Sequence, residues 1–499
     1  MIDFASSPQS TLGVEWEIAL IDRESGELTP RAAEVLSVLR ERRPELLEPA
    51  SDRAHVTGEF LENTIEVVTG ICHTVAEASR QLQELTDIIR EITDDLGIEF
   101  YPAGTHPFSH WADQPVVAKE RYQRVVERAQ YWGRHMVIYG VHVHVGVDSR
   151  DKVLPLVDAL TNYGPHLLAL SCSSPYWEGI DTGYASHRTQ LYQQLPTNGL
   201  PFHFDTWEQY SEYLDSLVAT DVINDPSEDR WDVRPVPRYG TIEMRYCDGL
   251  ASLPDVAAIV AFTQCLVEYF SRQIEAGESI EVLAPWHAQE NKWRVARYGL
   301  EAKIVVSNAP EQRTLREDFE LLLPELEPVA RDLDCELELA QVRRILAGGT
   351  GADRQRAVVD HDSRPADELQ NVQERKQQAA LLAEAHFYGL HSAAARAPAD
   401  KARQQHHGAA DDMPEQNGRE ALCHAQRRKG GAGQNFGQRD ARAEPDQAVL
   451  KGRGLFHSTK SPFSANMWSI GPEPWPRSSM AASAPEMYAF ARSTDVSRS

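Results

Sequence analysis

Cysteine is scarce in this sequence, and its six residues are scattered without a CxxC pair or a dense spacing. This pattern argues against a disulfide framework and predicts reduced thiols in a cytoplasmic protein. The N-terminal stretch MIDFASSPQS lacks the basic and apolar regions of a signal peptide. No apolar run approaches the roughly 20 residues that cross a bilayer, so we predict no membrane association.

The common phosphate-binding and hydrolase motifs are also missing. The sequence contains no GxxxxGK[ST], no GxGxxG between a strand and a helix, and no GxSxG. Any chemistry on phosphates must therefore use scattered residues that the fold brings together.

Basic residues are too few for a nucleic-acid-binding protein, since 50 Lys and Arg face 75 Asp and Glu, a net charge of −25. Residues 361–499 hold 16 acidic and 18 basic side chains, so residues 1–360 carry a net charge of −27. A body this acidic can handle an anionic substrate only through metal ions and locally placed arginines.

The amino-acid composition and the apolar periodicity of the sequence change near residue 360. Residues 361–499 are rich in Ala, Gln, Arg, Gly, Ser and Pro, and apolar periodicity nearly vanishes apart from a short predicted helix at 369–386. Such a segment can bury little apolar surface, so we predict that it is mostly disordered. The predicted organisation is one catalytic domain at 1–360 and a tail at 361–499.

Within residues 1–360, apolar periodicity predicts strands that recur between long helices. The predicted strands are 10–23, 62–69, 97–104, 137–147 and 240–248. The predicted helices are 74–96, 117–135, 151–170, 207–219, 255–276 and those within 314–348. This alternation indicates an α+β or α/β enzyme core and excludes a helix bundle or a β-sandwich.

The segment Val141-His142-Val143-His144-Val145 and the upstream segment Glu15-Trp16-Glu17 carry the most informative pattern. Side chains alternate along a strand, so each pair of polar residues shares one face and the apolar residues share the other. The alternatives are a solvated face for the glutamates and structural hydrogen bonds for the histidines. Two such pairs from distant parts of the chain favour a metal site, since imidazole and carboxylate are common ligands.

Further candidates lie in two other segments. Glu62 and Glu66 share a face in a helix or a strand, although a surface position is the simpler interpretation of that pair alone. Glu243 and Arg245 alternate onto one face of a strand, and Arg234 precedes them. Guanidinium groups suit phosphate and carboxylate recognition, while the alternative is a structural ion pair.

A series of motifs resembles one enzyme family. In order, they are TLGVEWE, ENTIEVVTGIC, AGTHPF, ERYQR, YGVHVHVGV, LSCSSPYWEGIDTGYASHR, WDVRP, GTIEMRYCD and ARYGLEAKI. Their order over residues 11 to about 360 is similar to that of the type 2 glutamate–cysteine ligases, or carboxylate–amine ligases, which are related to glutamine synthetase. The resemblance implies an α+β fold with a largely antiparallel, glutamine-synthetase-like catalytic sheet, a funnel-shaped site and flanking helices.

The resemblance also implies the reaction and its ligands. ATP would convert the γ-carboxylate of glutamate to an acyl phosphate, which the amine of cysteine would attack. Mg²⁺ ions, or Mn²⁺ in their place, would bridge the phosphates.

Roles for individual residues follow from the same resemblance. The metal ligands it implies are Glu15, Glu17, Glu62, Glu66, His142 and Glu243. It implies that His144 and Arg245 contact phosphate, that Arg234 and Arg297 contact substrate, and that Arg234 and Arg245 are catalytic.

Two points stay open at this stage. The amine could differ from cysteine, or the chain could be a non-catalytic relative that binds ATP and Mg²⁺. The tail departs from the family, which ends in a short helical segment, so it is interpreted as a frameshift near His361 or as a genuine appendage. The expected partners are small molecules, without nucleic acid or membrane, and a homodimer is compatible with the sequence.

Overall fold

The structure is a computed structural model, and it describes residues 2–361 of the chain. The predicted tail, including its helix at 369–386, lies outside the described residues. The strands in the described part are β1 (Leu12–Asp22), β2 (His55–Gly58), β3 (Thr64–Val68), β4 (Ile98–Tyr101), β5 (Gly140–Gly146), β6 (Tyr176–Trp177), β7 (Ile180–Asp181), β8 (Asn198–Gly199), β9 (Arg230–Trp231), β10 (Val233–Val236), β11 (Thr241–Asp248), β12 (Lys303–Val305) and β13 (Gln312–Thr314).

Helices separate these strands along the chain. They are α1 (Ala32–Arg42), α2 (Val75–Leu96), α3 (Glu120–Ala129), α4 (Tyr131–Arg134), α5 (Val153–Ser171), α6 (His187–Tyr192), α7 (Trp207–Ala219), α8 (Leu253–Glu275), α9 (Pro285–Tyr298), α10 (Leu315–Asp332), α11 (Glu336–Gly348) and α12 (Gly351–His361). By length and composition alone α8 could cross a membrane, but 78% of its most apolar stretch is buried inside the protein. Its position is that of a core helix.

Seven strands form one sheet in the order β10-β11-β5-β1-β3-β2, with β4 paired to the far end of β1. All of these pairs are antiparallel. β5 lies between β1 and β11, so the histidine strand occupies the middle of the sheet. The prediction of an α+β fold with a largely antiparallel catalytic sheet is confirmed.

One face of the sheet is apolar and buried. Side chains of alternating strand positions share this face, and they include Val14, Trp16, Ile18, Val67, Val141, Val143, Val145 and Met244. Helices α2, α5 and α8 pack against the strands. Because the helices cover this face, the intervening polar residues of the same strands must point to the other face.

The helix predictions are confirmed in part. α2 begins after Thr74, whose hydroxyl accepts a hydrogen bond from the backbone N–H of Glu77, as the capping pattern predicts. The single helix predicted at 117–135 is wrong, because Gln130 has a positive φ of 48° and separates α3 from α4. A positive φ is costly for a residue with a side chain, and nothing in the apolar spacing signals it. Helices α1 and α9 and strand β10 carried no prediction.

Candidate active site

The polar face of the sheet centres on a carboxylate between two histidines. Glu15 on β1 lies opposite His142 on β5 in the strand register, and His144 follows two residues later on the same face. Nδ1 of His142 lies 3.2 Å from one carboxylate oxygen of Glu15, and Nε2 of His144 lies 3.3 Å from the other. Both imidazoles are buried. The strand alternation inferred from the sequence therefore brings these three side chains together.

A second group of carboxylates lies one step along β1. Glu17 is opposite Glu66 on β3, and Glu17 accepts a hydrogen bond from the backbone N–H of Gly140. Potential ligand atoms of Glu17, Glu66 and His142 lie within 4.8 Å of one another, as do those of Glu15, His142 and Glu243. His142 thus belongs to both groups.

Two arginines flank Glu243 on β11. Arg234 on β10 is opposite Glu243, and its Nε donates a hydrogen bond of 2.7 Å to the carboxylate. The other carboxylate oxygen accepts a hydrogen bond from Nη1 of Arg245. Each guanidinium is therefore held in place by a buried acid, and Arg245 also contacts the hydroxyl of Tyr192 at 3.2 Å.

Arg245 shares this face with Glu243 through ordinary strand alternation, and a β-bulge lies beside it. Met244 pairs with Val143 and Cys247 pairs with Val141, so two residues of β11, Arg245 and Tyr246, stand opposite His142 alone. Such bulges re-aim side chains next to functional sites.

The carboxylates of the site fall into two kinds, those whose pKa is lowered and those whose pKa is raised. Burial would raise the pKa of Glu15, but hydrogen bonds from His142 and His144 outweigh it and hold the pKa well below its usual range. Burial would likewise raise the pKa of Glu243, but the charges of Arg234 and Arg245 outweigh it and lower the pKa. These carboxylates stay ionised because cationic or hydrogen-bonding groups surround them.

Glu17 and Glu66 lack enough such partners. Burial and the nearby Glu59 raise the pKa of Glu17 to about 7. Burial, Glu15 and Glu59 raise the pKa of Glu66 well above its usual value. Acidic groups that are crowded together in this way repel one another, and a bound cation would relieve the repulsion.

The histidines also differ from each other. Burial, followed by the charge of Arg245, lowers the pKa of His142 to about 4 and keeps its imidazole neutral. Burial opposes the charged form of His144 as well, but Glu243 and Glu15 outweigh it and raise the pKa. A neutral imidazole can bind a metal, whereas a protonated one can only donate hydrogen bonds.

The residues present fit a divalent metal ion. Nε2 of His142 is buried without a hydrogen-bond partner, and two of the adjacent carboxylates have raised pKa values. Hard cations such as Mg²⁺ take mainly carboxylate oxygens, which Glu15, Glu17, Glu66 and Glu243 would provide.

Two of the predicted site residues are not drawn into these groups. Glu62 is half-buried in the turn before β3, outside both groups of ligand atoms among the described residues. Arg297 in α9 donates a hydrogen bond to the backbone carbonyl of Gly183, and its guanidinium stacks over Tyr298 with 4.9 Å to the ring centroid.

The sequence did not indicate three residues that the structure places near the site, namely Glu59, Tyr122 and His55. Glu59, in the loop after β2, acts on the charges of Glu17 and Glu66 and accepts a hydrogen bond of 3.2 Å from Tyr122. His55 on β2 experiences the charge of Glu15. The spacing of these residues carries no pattern, although Tyr122 lies in the quoted segment ERYQR.

Comparison with known proteins gives a consistent result. The model of glutamate–cysteine ligase family 2 matches residues 11–411. A protein of Arthrobacter sp. (strain FB24), provisionally named glutamate–cysteine ligase 2-1, is 54% identical over 357 residues, which cover 72% of this chain and 93% of that protein. A provisionally named glutamate–cysteine ligase 2 of Corynebacterium glutamicum (strain R) is 47% identical over 358 residues, again 72% and 93% of the two chains.

Solved structures share the fold at low identity. The crystal structure of glutamate–cysteine ligase from Francisella tularensis in complex with AMP matches with a TM-score of 0.54 and 15% identity, covering 83% of this chain and 97% of that one. A bifunctional glutathione synthetase from Pasteurella multocida matches with a TM-score of 0.50 and 18% identity, covering 76% and 53%. At these identities the likeness concerns the fold alone.

Proposed function

This chain belongs to glutamate–cysteine ligase family 2, and we propose that it joins the γ-carboxylate of L-glutamate to the amine of L-cysteine at the expense of ATP. The products would be γ-glutamylcysteine, ADP and phosphate. The family supports a carboxylate–amine ligase, and the Francisella enzyme of the same fold was crystallised with AMP. The choice of glutamate and cysteine rests on the names of the relatives.

The observation that carries the proposal is the buried polar face of the sheet. Four carboxylates surround His142, and two arginines stand at one side of them. This combination suits an enzyme that forms amides by phosphorylating a carboxylate, because a free carboxylate is a poor electrophile. The phosphoryl group then develops charge that cations must stabilise.

In the proposed reaction, a γ-carboxylate oxygen attacks the terminal phosphorus of ATP and the bond to ADP breaks. The amine then attacks the acyl carbon, loses a proton, and displaces phosphate. Arg245 and His144 would orient and neutralise the phosphoryl oxygens, and Arg234 would hold a substrate oxygen. Glu243 positions both arginines through its two carboxylate oxygens.

The chemistry that Mg²⁺ or Mn²⁺ supplies when bound is neutralisation of the phosphate oxygens and orientation of ATP. We propose that Glu15, Glu17, Glu66, His142 and Glu243 would hold such ions. Glu62 and Arg297 remain proposed contacts that the sequence resemblance alone supports. Glu59 is a better candidate than Glu62 to join the metal-binding carboxylates, because its charge reaches Glu17 and Glu66 and raises the pKa of both.

The test is an assay of the purified full chain with ATP, Mg²⁺, glutamate and a panel of amines. We expect ADP release that depends on both glutamate and cysteine, and a product with the mass of γ-glutamylcysteine. ADP release with another amine but not with cysteine would keep the mechanism and overturn the amine. Binding of ATP with Mg²⁺ but no turnover with any amine would favour a non-catalytic relative.

We also propose that residues 1–360 form the catalytic domain of a cytoplasmic enzyme. In support, the aligned stretch covers 93% of the curated Arthrobacter relative, and the five cysteines in the described part are free and buried, as in a reducing compartment. A protein truncated after residue 360 should keep the ligase activity of the full chain. Loss of activity with a cooperative unfolding transition retained would assign a catalytic role to the tail.

A further inference from the structure

Lys292 and Asp232 form an ion pair in the interior of the protein. Nζ of Lys292, in α9, donates a hydrogen bond of 2.6 Å to the carboxylate of Asp232, which lies between β9 and β10. Lys292 is 1% exposed and Asp232 is 2% exposed. Within the described part of the chain, the ammonium group has no second acid at ion-pair distance. Both charges are therefore removed from water, and each depends on the other.

A buried pair of this kind contributes little to stability by itself. Removing two charges from water costs free energy that their attraction only partly returns, and apolar side chains in the same place are often as stable. The pair is directional, however, because a charge-assisted hydrogen bond fixes the carboxylate in distance and angle. What the pair supplies is therefore a fixed position for Asp232.

The backbone of Asp232 holds Arg245 in place. Val233 is opposite Met244 in the register of β10 and β11, so Asp232 stands opposite Arg245. The carbonyl of Asp232 accepts a hydrogen bond of 2.8 Å from the backbone N–H of Arg245, and the N–H of Asp232 donates one of 2.7 Å to the carbonyl of Gly199. Asp232 thus links the short strand β8 to the point of β11 that carries the arginine.

The β-bulge in β11 explains why this point needs support. Arg245 and Tyr246 together stand opposite one residue of β5, so the pairing with β5 is irregular there. Tyr246 is held by α5, whose backbone comes so close at Gly164 that a Cβ there would lie 2.1 Å from the tyrosine ring. For Arg245 the corresponding support is the carbonyl of Asp232.

Helix α9 gives Lys292 a fixed base. The side-chain amide of the neighbouring Asn291 donates a hydrogen bond of 2.8 Å to the carbonyl of Val305 in β12 and accepts one of 2.8 Å from its N–H. Near the end of α9, the carbonyl of Ala296 accepts a hydrogen bond from the N–H of Ser186, which precedes α6. The helix is anchored to two other segments, so its position is set independently of β10.

We propose that Lys292 is a positioning residue for the phosphoryl-transfer step. This inference rests on the proposed function. Through the ion pair, α9 fixes Asp232, and the carbonyl of Asp232 fixes the backbone from which Arg245 reaches Glu243. A guanidinium displaced by about 1 Å would stabilise the charge that develops on the phosphoryl group poorly, and such a displacement can lower a rate on the order of a hundredfold.

The test replaces the ion pair by apolar side chains, in the double variant Lys292→Met/Asp232→Val. The urea midpoint should stay close to that of the unchanged protein, because apolar residues can replace a buried ion pair without loss of stability. Apolar contacts are not directional, so they do not fix the carbonyl of Asp232. We expect kcat for ADP release to fall on the order of tenfold to a hundredfold. The KM values for ATP and glutamate should stay within about threefold, because the lost interaction acts in the transition state.

The matched control is Lys152→Met/Glu275→Val. It removes another lysine–glutamate or lysine–aspartate type of pair, between the residue before α5 and the last residue of α8, and Lys152 is 7% exposed. This control should leave kcat unchanged. A kcat of Lys292→Met/Asp232→Val within about threefold of the unchanged protein would overturn the inference, and so would raised KM values with kcat retained.

A second measurement needs no turnover and covers the case in which the double variant does not fold. In the unchanged protein, hydrogen exchange followed by mass spectrometry of overlapping peptides should show the amide of Arg245 as strongly protected as that of Val143 in the middle of the sheet. Exchange at Arg245 as fast as in the turn between β10 and β11 would overturn the inference. In the double variant, the amide of Arg245 should exchange on the order of tenfold faster while β5 keeps its protection.

The two measurements also separate this inference from the proposed function. An unchanged protein that turns over no amine would contradict the proposed function. The exchange at Arg245 would still decide whether the ion pair holds this residue in place.

Discussion

The two faces of the central sheet are built by the same strands and meet opposite physical demands. On the apolar face, Val141 and Val143 of β5 are fully buried under helices within the hydrophobic core, where burial of their apolar surface stabilises the fold. On the polar face, His142 and His144 alternate with those valines but lie among carboxylates. One strand therefore contributes to stability with half of its residues and to chemistry with the other half.

The comparison shows that the polar face carries the unfavourable electrostatic interactions of the sheet, which are repulsions between carboxylates. Crowded acids such as Glu17 and Glu66 have raised pKa values, so they oppose folding when they ionise without a cation. The packing of the opposite face can offset this cost because it is continuous across the sheet. If this division is right, substitutions on the two faces should have separable effects on activity and stability.

The largest expected effect is on activity, from Glu15→Gln on the polar face. The change keeps the shape of the side chain but removes the negative charge that two histidines contact. We expect kcat for ADP release to fall on the order of 10³-fold, while the free energy of unfolding falls by only about 1 kcal/mol, because the neutral amide lacks the charge that His142 and His144 stabilise. Turnover within about threefold of the unchanged protein would show that Glu15 does not act at the site.

The converse change is Val143→Ala on the apolar face. It removes buried methyl groups from a 1% exposed side chain and should lower the free energy of unfolding by about 2 kcal/mol. Activity per folded molecule should stay unchanged at a temperature well below the midpoint. Denaturant unfolding measures the stability, and the ADP-release assay measures the activity. A large fall in kcat with unchanged stability would show that the two faces do not have separate roles.

A pH titration of the metal-free protein sharpens the comparison further. Because the pKa of Glu17 rises from 4.5 to about 7 on folding, the folded state binds more protons than the unfolded state between these values. Stability should therefore fall as pH rises from about 4.5 to about 7, by about 1–2 kcal/mol for a half-buried group.

Unfolding by urea in EDTA across this pH range measures the fall, and Glu17→Gln should reduce it. Below pH 4.5 the opposite sign applies, because Glu15 and Glu243 have lowered pKa values and their contribution to stability is lost as they become protonated. Saturating Mg²⁺ should flatten the fall at neutral pH. A profile that Mg²⁺ leaves unchanged would contradict a cation site on this face.

The smallest expected effect comes from Glu66→Gln. Removing one of the crowded acids should raise the free energy of unfolding of the metal-free protein by about 1 kcal/mol at pH 8, while activity with Mg²⁺ falls. Thermal unfolding in EDTA and the ADP-release assay check the two signs. A protein that is both less stable and less active would assign Glu66 a structural role.

The parts of the fold and site that follow from local alternation could be predicted from the sequence. The facing of Glu15, Glu17, His142 and His144 depends only on the two-residue period of a strand, and the structure bears out that geometry. The grouping of Glu62 with Glu66 fails because β3 begins at Thr64 and leaves Glu62 in a turn. A four-residue spacing cannot reveal where a strand begins.

Other features depend on contacts that the local sequence does not encode. Glu59 reaches the site from a loop after a short strand. The break at Gln130 is likewise set by the fold and not by apolar spacing.

The central claim is that the polar face activates a carboxylate by phosphorylation. The most direct test uses glutamate whose γ-carboxylate carries ¹⁸O, with ATP, Mg²⁺ and cysteine, and mass spectrometry of the released phosphate. An acyl phosphate intermediate requires one labelled oxygen to move from glutamate to phosphate with each peptide bond formed. The account predicts this transfer, and phosphate that carries no label while the dipeptide accumulates would contradict it.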